Sequence, residues 1–195
     1  QGGIVSKDFQ KAVGEQALLY PRDPTERGCF LGGTVATNAS GSRTFKYGPT
    51  RKYVAGLKIV LASGETLQLR RGEQHADDGQ LNLSLPSGRV INARLPTYKL
   101  PTTRKNATGY YVSPDMDVID LFIGSEGTLG VIVEVEATLL PKPQGLLSGV
   151  VFFENEANVL EFVSSARTLS LANRASGNSQ GLDARALEFF DSGSL

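Results

Sequence analysis

An α+β fold is what the sequence predicts, on three observations. From Val131 to Leu139, the residues Val131, Val133, Val135, Ala137 and Leu139 alternate with polar or charged neighbours, the period of a strand with one buried face. Apolar residues recur at helical spacing in two other stretches, Ser6 to Ala17 and Asn155 to Leu169. Glycine is 22 of 195 residues, above the usual ~7%, and clusters between these regular segments instead of spreading through turns.

Taken in order, Ser6 to Ala17 reads as a short helix with Ser6 as its cap and Phe9 and Val13 on one face, ended by Pro21, Asp23 and Pro24. Gly28 to Gly48 (GCFLGGTVATNASGSRTFKYG) has no sustained period and reads as a structured loop with one helical turn. Val54 to Leu61 and Glu65 to Leu69, joined by Ala62-Ser63-Gly64, form a hairpin pattern. Leu81, Leu83 and Leu85, the Pro86-Ser87-Gly88 turn and Arg89-Val90-Ile91 form a second, while Arg70 to Gln80 is polar and exposed and Leu95 to Thr103 extended. Asp117 to Ile123 reads as a short amphipathic helix running into Gly124-Ser125-Glu126-Gly127-Thr128-Leu129-Gly130 and then into the alternating strand. Pro141 to Gly145 marks a domain boundary. Beyond it come a strand at Leu147 to Phe153, a helix capped by Asn155 with Val159, Phe162, Val163, Ala166 and Leu169 on its apolar face, a polar loop at Asn173 to Gly181, and a strand at Ala186 to Phe190.

Composition narrows the function. Twenty basic and 20 acidic residues give a net charge of 0, which argues against a general nucleic-acid binder, and the short Arg70-Arg71 and Arg104-Lys105 patches are balanced by nearby acids. One cysteine excludes an intrachain disulfide and a cysteine-based zinc site, and one histidine excludes a two-histidine metal site, so no metal is expected. No apolar run approaches the ~18–20 residues that span a bilayer. Glycine-rich loops suit a phosphate or a flat ring, which need bare backbone amides and close approach, although neither a P-loop nor a G-x-G-x-x-G fingerprint occurs. The plain alternative is tight turns in a compact fold.

Several ordered motifs then carry a resemblance. They are Pro21-Arg22-Asp23-Pro24-Thr25, Gly32 to Gly41 (GGTVATNASG), Lys46 to Arg51 (KYGPTR), Leu57 to Leu61 with Ala62-Ser63-Gly64-Glu65, Lys105 to Tyr110 (KNATGY) and Leu121 to Ile132 (LFIGSEGTLGVI). Together, over about residues 18 to 143, they resemble the FAD-binding domain of the vanillyl-alcohol oxidase type, in the subgroup of D-lactate dehydrogenase and glycolate oxidase flavoproteins. The segment after Pro143, including Ala186 to Asp191 (ALEFFD), resembles the start of that family's ferredoxin-like C-terminal FAD-linked oxidase domain.

The resemblance implies residues 1–143 as the second half of an FAD-binding domain and 144–195 as the opening of the oxidase domain. It implies FAD contacts from Asp23, Pro24, Thr25, Gly32 and Gly33 at the flavin and phosphates, and from Thr37, Asn38, Ala39, Ser40 and Gly41 at the flavin and pyrophosphate. Tyr47 and Gly48 join this set, and Glu126, Gly127, Gly130, Val131 and Ile132 lie toward the adenine–ribose end. It further implies oxidation of a 2-hydroxy acid, such as D-lactate or glycolate, by hydride transfer to flavin, with a separate electron acceptor, a cytoplasmic or membrane-peripheral location, and a homodimer among the states open to it. The family's N-terminal phosphate loop has no counterpart before Gln16, and its histidine-bearing substrate and metal site has none either. The chain is therefore expected to be a middle section of a longer protein, inactive by itself, with catalytic residues unassigned. Two rivals are a nucleotide-binding or interaction module without catalysis and a truncated product with neither FAD nor activity.

Single residues are weighed the same way. His75 lies in the polar loop RRGEQHADDG and reads as exposed, not as a base. Cys29 reads as a small buried hydrophobe rather than a covalent flavin link. Glu126 reads as accepting amides of its own loop. Arg51 and Lys52 suit a phosphate or loop carboxylates, with plain solvation the commoner fate. Lys105 and Tyr110 either touch flavin or pack.

Overall fold

The computed structural model describes residues 1–195 except Asp23, Arg27, Arg104, Ser192 and Leu195. Helix α1 is Ser6–Glu15. Ser6 is not its cap: Val5 holds that position, and Ser6 is buried as the first helical residue with its amide donating to Cys29 O (2.8 Å). The predicted extension to Ala17 fails because Ala17 takes φ 56°, turning the chain into β1 (Leu18–Leu19). The predicted loop from Gly28 holds more helix than the single turn expected. It contains α2 (Leu31–Ala36) and α3 (Thr44–Tyr47), followed by a 3-10 turn at Thr50–Tyr53.

Strand β2 (Val54–Val60) pairs antiparallel with β3 (Thr66–Arg70), giving the expected first hairpin. The second, β4 (Gln80–Ser84) with β5 (Val90–Arg94), forms as expected too. Both succeed locally, since alternating apolar residues flank a Ser-Gly turn in each. Helix α4 (Ile119–Phe122) is a single turn and not amphipathic, because all four residues are buried. Strand β6 (Val131–Ala137) pairs with β2 to complete a sheet in the order β3-β2-β6, and β7 (Leu140–Pro141) pairs with β1. Leu57, Ile59, Leu67 and Leu69 on one sheet face pack with Leu81, Leu83 and Leu85 of the second hairpin and with α4 to form the main core.

The alternation in β6 breaks at one point. Lys58 lies opposite Glu134 but Ile59 opposite Ile132, so Val133 is the extra residue of a bulge. Its phase change sends Ile132 against the core and leaves Val131 64% exposed, so Val131 does not join the expected buried face.

In the last segment α5 (Glu156–Ser176) starts as expected, with Asn155 Oδ1 accepting from Asn158 N at 3.0 Å, and ends on Gly177 in the left-handed region. It runs through the start of the predicted Asn173–Gly181 loop. Its apolar side is only partly covered: Ala166 is buried while Phe162 and Leu169 are exposed. Neither predicted strand forms. Leu147–Phe153 and Ala186–Phe190 pair with nothing among the described residues, and Leu147, Phe152, Phe189 and Phe190 are exposed, since a strand without a neighbour has no ladder to join. The end of α5 docks on α3: Arg174 donates to Phe45 O (3.0 Å) and to Asp183 (2.6 Å), and Lys46 pairs with Asp183 (2.5 Å).

Candidate functional site

The bulge in β6 frees the Val133 carbonyl, and Gly2 N takes it at 2.6 Å. Gly32 N of α2 in turn donates to Gly2 O (2.8 Å), so α2, the Gly2–Gly3 segment and β6 are stitched edge to edge. The contact demands glycine. A Cβ on Gly32 would sit 3.1 Å from both Gly2 O and Ile132 O, and one on Gly2 would collide with Ile132 O. Gly130 is tighter still: at φ 153° its Cβ would fall 2.6 Å from Ile59 Cγ2 and 2.8 Å from Val60 O.

On the outer side of this seam lies a depression of about 670 Å³. Gly3, Gly33 and Gly127 line it, and a Cβ on any of them would meet nothing within 4 Å. Their amides find no acceptor among the described residues. Phe30 and Val131, 57% and 64% exposed, add an apolar rim, and Glu134 is the one ionisable side chain in the lining. The surface thus offers three open Cβ-free positions with uncommitted amides and is nearly uncharged. It can take a flat ring against backbone or a phosphate against neutral N–H donors.

The Thr37–Gly41 segment and Tyr47-Gly48 belong to a different cluster, built on Arg22, which is 1% exposed. Its Nε donates to Thr50 Oγ1 (2.9 Å) and its Nη1 to Gly48 O (2.9 Å) and Thr44 Oγ1 (3.2 Å), while Nη2 donates to Ala39 O. Gly41 N donates to Thr44 Oγ1 (2.9 Å), and the buried Tyr47 accepts Tyr53 Oη at its carbonyl (2.7 Å). Thr37 Oγ1 donates to Gly33 O (3.0 Å), linking this cluster to the depression. Ser40 and Thr25 are exposed, Pro24 is half-buried, and Asp23 lies outside the described residues.

A third cluster ties the glycine loop down. Asp120, buried in α4, accepts from Arg51 Nη1 (3.0 Å) and from both Arg71 Nη atoms (3.0 and 2.9 Å). Burial pushes the Arg51 guanidinium below its ordinary value, with Asp120 opposing. Burial also presses on Arg71, but Asp120 and Asp117 outweigh it and the net direction is up. Arg51 therefore satisfies loop carbonyls and a carboxylate rather than solvent. Glu126 departs from expectation: its side chain accepts no amide among the described residues, and the loop is held instead by its backbone, Glu126 N to Ala36 O at 2.9 Å. Tyr110 Oη bonds Thr128 Oγ1 (2.7 Å), anchoring the loop's outer side. Cys29 is half-buried, and burial pushes its thiol up, away from the reactive thiolate. His75 is exposed as expected.

The structure thus gathers Gly32, Gly33, Gly127, Gly130, Val131 and Ile132 around one depression and places Thr37 to Gly41, Tyr47 and Gly48 beside it. Sequence reasoning missed Gly2, Gly3, Phe30 and Val133 in the lining, and the central place of Arg22. A Gly-Gly pair preceding the first helix is the available signal for the former; a basic residue between two prolines gives little for the latter.

A sequence-family profile described as FAD binding domain matches residues 1–70. The chain is 34% identical over 155 residues to D-lactate dehydrogenase of Anaerostipes hadrus, covering 80% of this chain and 25% of that protein. It is 33% identical over 156 residues to glycolate oxidase subunit GlcD of Bacillus subtilis, covering 80% and 26%. Against the D-2-hydroxyglutarate–pyruvate transhydrogenase of Saccharomyces cerevisiae it is 31% identical over 196 residues, covering 99% and 30%. The fold is shared with alkyldihydroxyacetonephosphate synthase at TM-score 0.56 and 22% identity, over 86% of this chain and 24% of that one. The chain spans about a quarter of the length of the first two relatives.

Proposed function

Residues 1–70 belong to the FAD binding domain family, and from that premise we propose that the chain forms one wall of an FAD site in an enzyme oxidising a 2-hydroxy acid. One observation carries the reading: three Cβ-free positions from distant parts of the sequence, Gly3, Gly33 and Gly127, converge on one depression with their amides uncommitted. FAD supplies acceptance of a hydride from the acid's α-carbon, with the hydroxyl proton passing to a base. The chain's own residues do the holding. Gly33 and Gly127 admit a group against backbone, and amides in place of cations meet phosphate oxygens. Phe30, Val131 and Ile132 exclude water, and the Thr37–Gly41 segment, fixed by Arg22 and Thr50, borders the same wall.

Glu134 on the rim is the depression's one ionisable side chain, so these residues supply no acid–base pair. We assign the base, the substrate-selecting groups and the electron acceptor to parts of the relatives that the chain does not span, with residues 1–143 as FAD-binding domain and 144–195 as the opening of an oxidase domain. A D-lactate- or glycolate-like acid is the substrate class, and a cytoplasmic or membrane-peripheral location accords with it. Among the described residues no helix is long and apolar enough to cross a membrane.

Equilibrium gel filtration in FAD-containing buffer tests this. Each missing charge-assisted phosphate contact weakens binding by about 10- to 100-fold, so saturable but weak co-elution is expected, with no turnover of D-lactate or glycolate. A folded chain that takes up no FAD at any concentration overturns the reading.

A further inference from the structure

Arg51 touches both walls of the proposed site at once. Its backbone amide donates to Asn38 Oδ1 at 3.0 Å, on the turn that leaves α2 with Asn38 at φ 45°. Its guanidinium donates to Ile123 O and to the carbonyl and carboxylate of Asp120, immediately before the loop that supplies Gly127 and Gly130. The two walls meet here with no space to spare: a Cβ on Gly124 would lie 3.3 Å from Asn38 Cβ and 3.6 Å from Arg51 Nη2. The free face of the guanidinium lies 4.4 Å from the Tyr111 ring centre, so the group is stacked as well as bonded. Arg71 completes the frame from behind, bonding Asp120 and Val54 O without reaching Asn38 or Ile123.

We propose that Arg51 is a positioning residue that sets the separation between the Asn38 turn and the Gly124–Gly130 loop, with Asp120 holding its fork in register. The planar fork is what the role requires. It reaches two carbonyls and one carboxylate in fixed directions, which a lysine ammonium at the same place cannot do together. The loop's remaining ties to α2 are two backbone bonds, Gly124 N to Val35 O (3.1 Å) and Glu126 N to Ala36 O (2.9 Å). Without the fork these are the hydrogen bonds left on that side of the loop, beside the apolar packing of Val35 in the same cluster as Ile123 and Leu129. The effect on FAD affinity rests on the function proposed above; the effect on the loop does not.

The experiment compares Arg51→Lys, Arg51→Ala and, as a control on the sheet, Arg70→Ala in the full chain, reading amide hydrogen exchange and FAD titration side by side. Among the described residues the Arg70 side chain pairs only with exposed Glu136. Both Arg51 variants are expected to speed exchange at residues 124–128 by at least about 10-fold, the loss of one strong bond, while the β2–β3 amides stay within about 2-fold. Methylguanidinium added to Arg51→Ala is expected to restore slow exchange in the loop, a rescue that a general loss of stability would not show. FAD affinity should fall by about 10-fold or more with Arg51→Lys and stay unchanged with Arg70→Ala. Unchanged loop exchange, or equal acceleration in the loop and the sheet without rescue, overturns the proposal. If Arg51→Ala does not fold, Asp120→Asn, which keeps the shape and drops the charge, is expected to loosen the same loop. A wild-type chain that ignores FAD sinks the function reading alone, because the exchange data still decide the role of Arg51.

Discussion

Gly130 and Gly33 lie beside the same depression and answer to opposite constraints. At Gly130 an added methyl would meet Ile59 Cγ2 and Val60 O, at a backbone angle that L residues avoid. Gly130→Ala should cost about 2–3 kcal/mol, read as a lower urea midpoint. Gly33 sits inside α2 with open space beyond it, so Gly33→Ala should raise stability by about 0.5–1 kcal/mol and still weaken FAD binding by filling the contact surface. Opposite shifts in the melting point and the FAD affinity from one substitution would be hard to obtain from a glycine that merely shapes a turn. The sequence marks both positions as glycine and cannot separate them, because the difference is made by β2 and β6 arriving from far along the chain. Tyr20 shows the same limit. Burial lifts its phenol from 10.0 to about 12, with the positive Arg22 and the neighbouring Thr34 hydroxyl opposing, and among the described residues its hydroxyl makes no hydrogen bond of good geometry. The folded state keeps the proton that the unfolded chain releases, so this contribution is complete below pH 10 and is lost as pH rises from 10 toward 12. Urea titrations at pH 9 and 11 should show a steeper alkaline loss for the wild type than for Tyr20→Phe, which should be neutral or slightly stabilising at pH 7.

Arg22 ties together segments that lie well apart in the sequence. Three short elements, α2's exit turn, α3 and the 3-10 turn, each hand it a carbonyl or hydroxyl oxygen. Such one-turn helices are marginal by themselves, so a central donor explains why a glycine-rich stretch is ordered at all. Arg22→Met keeps the apolar stem and strands the Gly48 carbonyl; a loss of about 2–4 kcal/mol in chemical denaturation is expected, with greater protease sensitivity between Ala39 and Thr50. The two hairpins were readable in advance because alternation and a Ser-Gly turn act over a few residues. Local sequence suggests only one helical turn where the helices at Leu31 and Thr44 form, since their stabilising partners lie outside their own windows. The bulge at Val133 escaped for a related reason. Unbroken alternation in the sequence hides an extra residue that only the pairing with Lys58 and Ile59 reveals, and that residue builds the seam under the depression.

Two regions of unlike character make up the chain. Residues up to β7 bury two apolar clusters, whereas most of the large apolar side chains after Pro143 are exposed, Leu147 by 98%. The strand patterns at Leu147–Phe153 and Ala186–Phe190 were legible as patterns and not as strands, because a strand exists only where a neighbour supplies its ladder. What holds this last region down is largely polar: Asp183 bridges Lys46 and Arg174 beside α3, and the two cations hold its carboxyl below the usual range against the opposing effect of burial. Asp183→Ala should therefore free the end of α5, seen as faster proteolysis after Arg174 at a cost of about 1 kcal/mol, with the sheet unaffected. The family match covers residues 1–70, which include α2, and the open glycines lie on the wall formed by α2, β6 and the Gly124–Gly130 loop. The most direct test is an FAD titration followed by amide chemical shifts of the full chain. Saturable shifts concentrated at Gly3, Gly33 and Gly127, abolished by Gly33→Val, are predicted; shifts that avoid this wall, or none in a folded chain at excess FAD, would contradict the account.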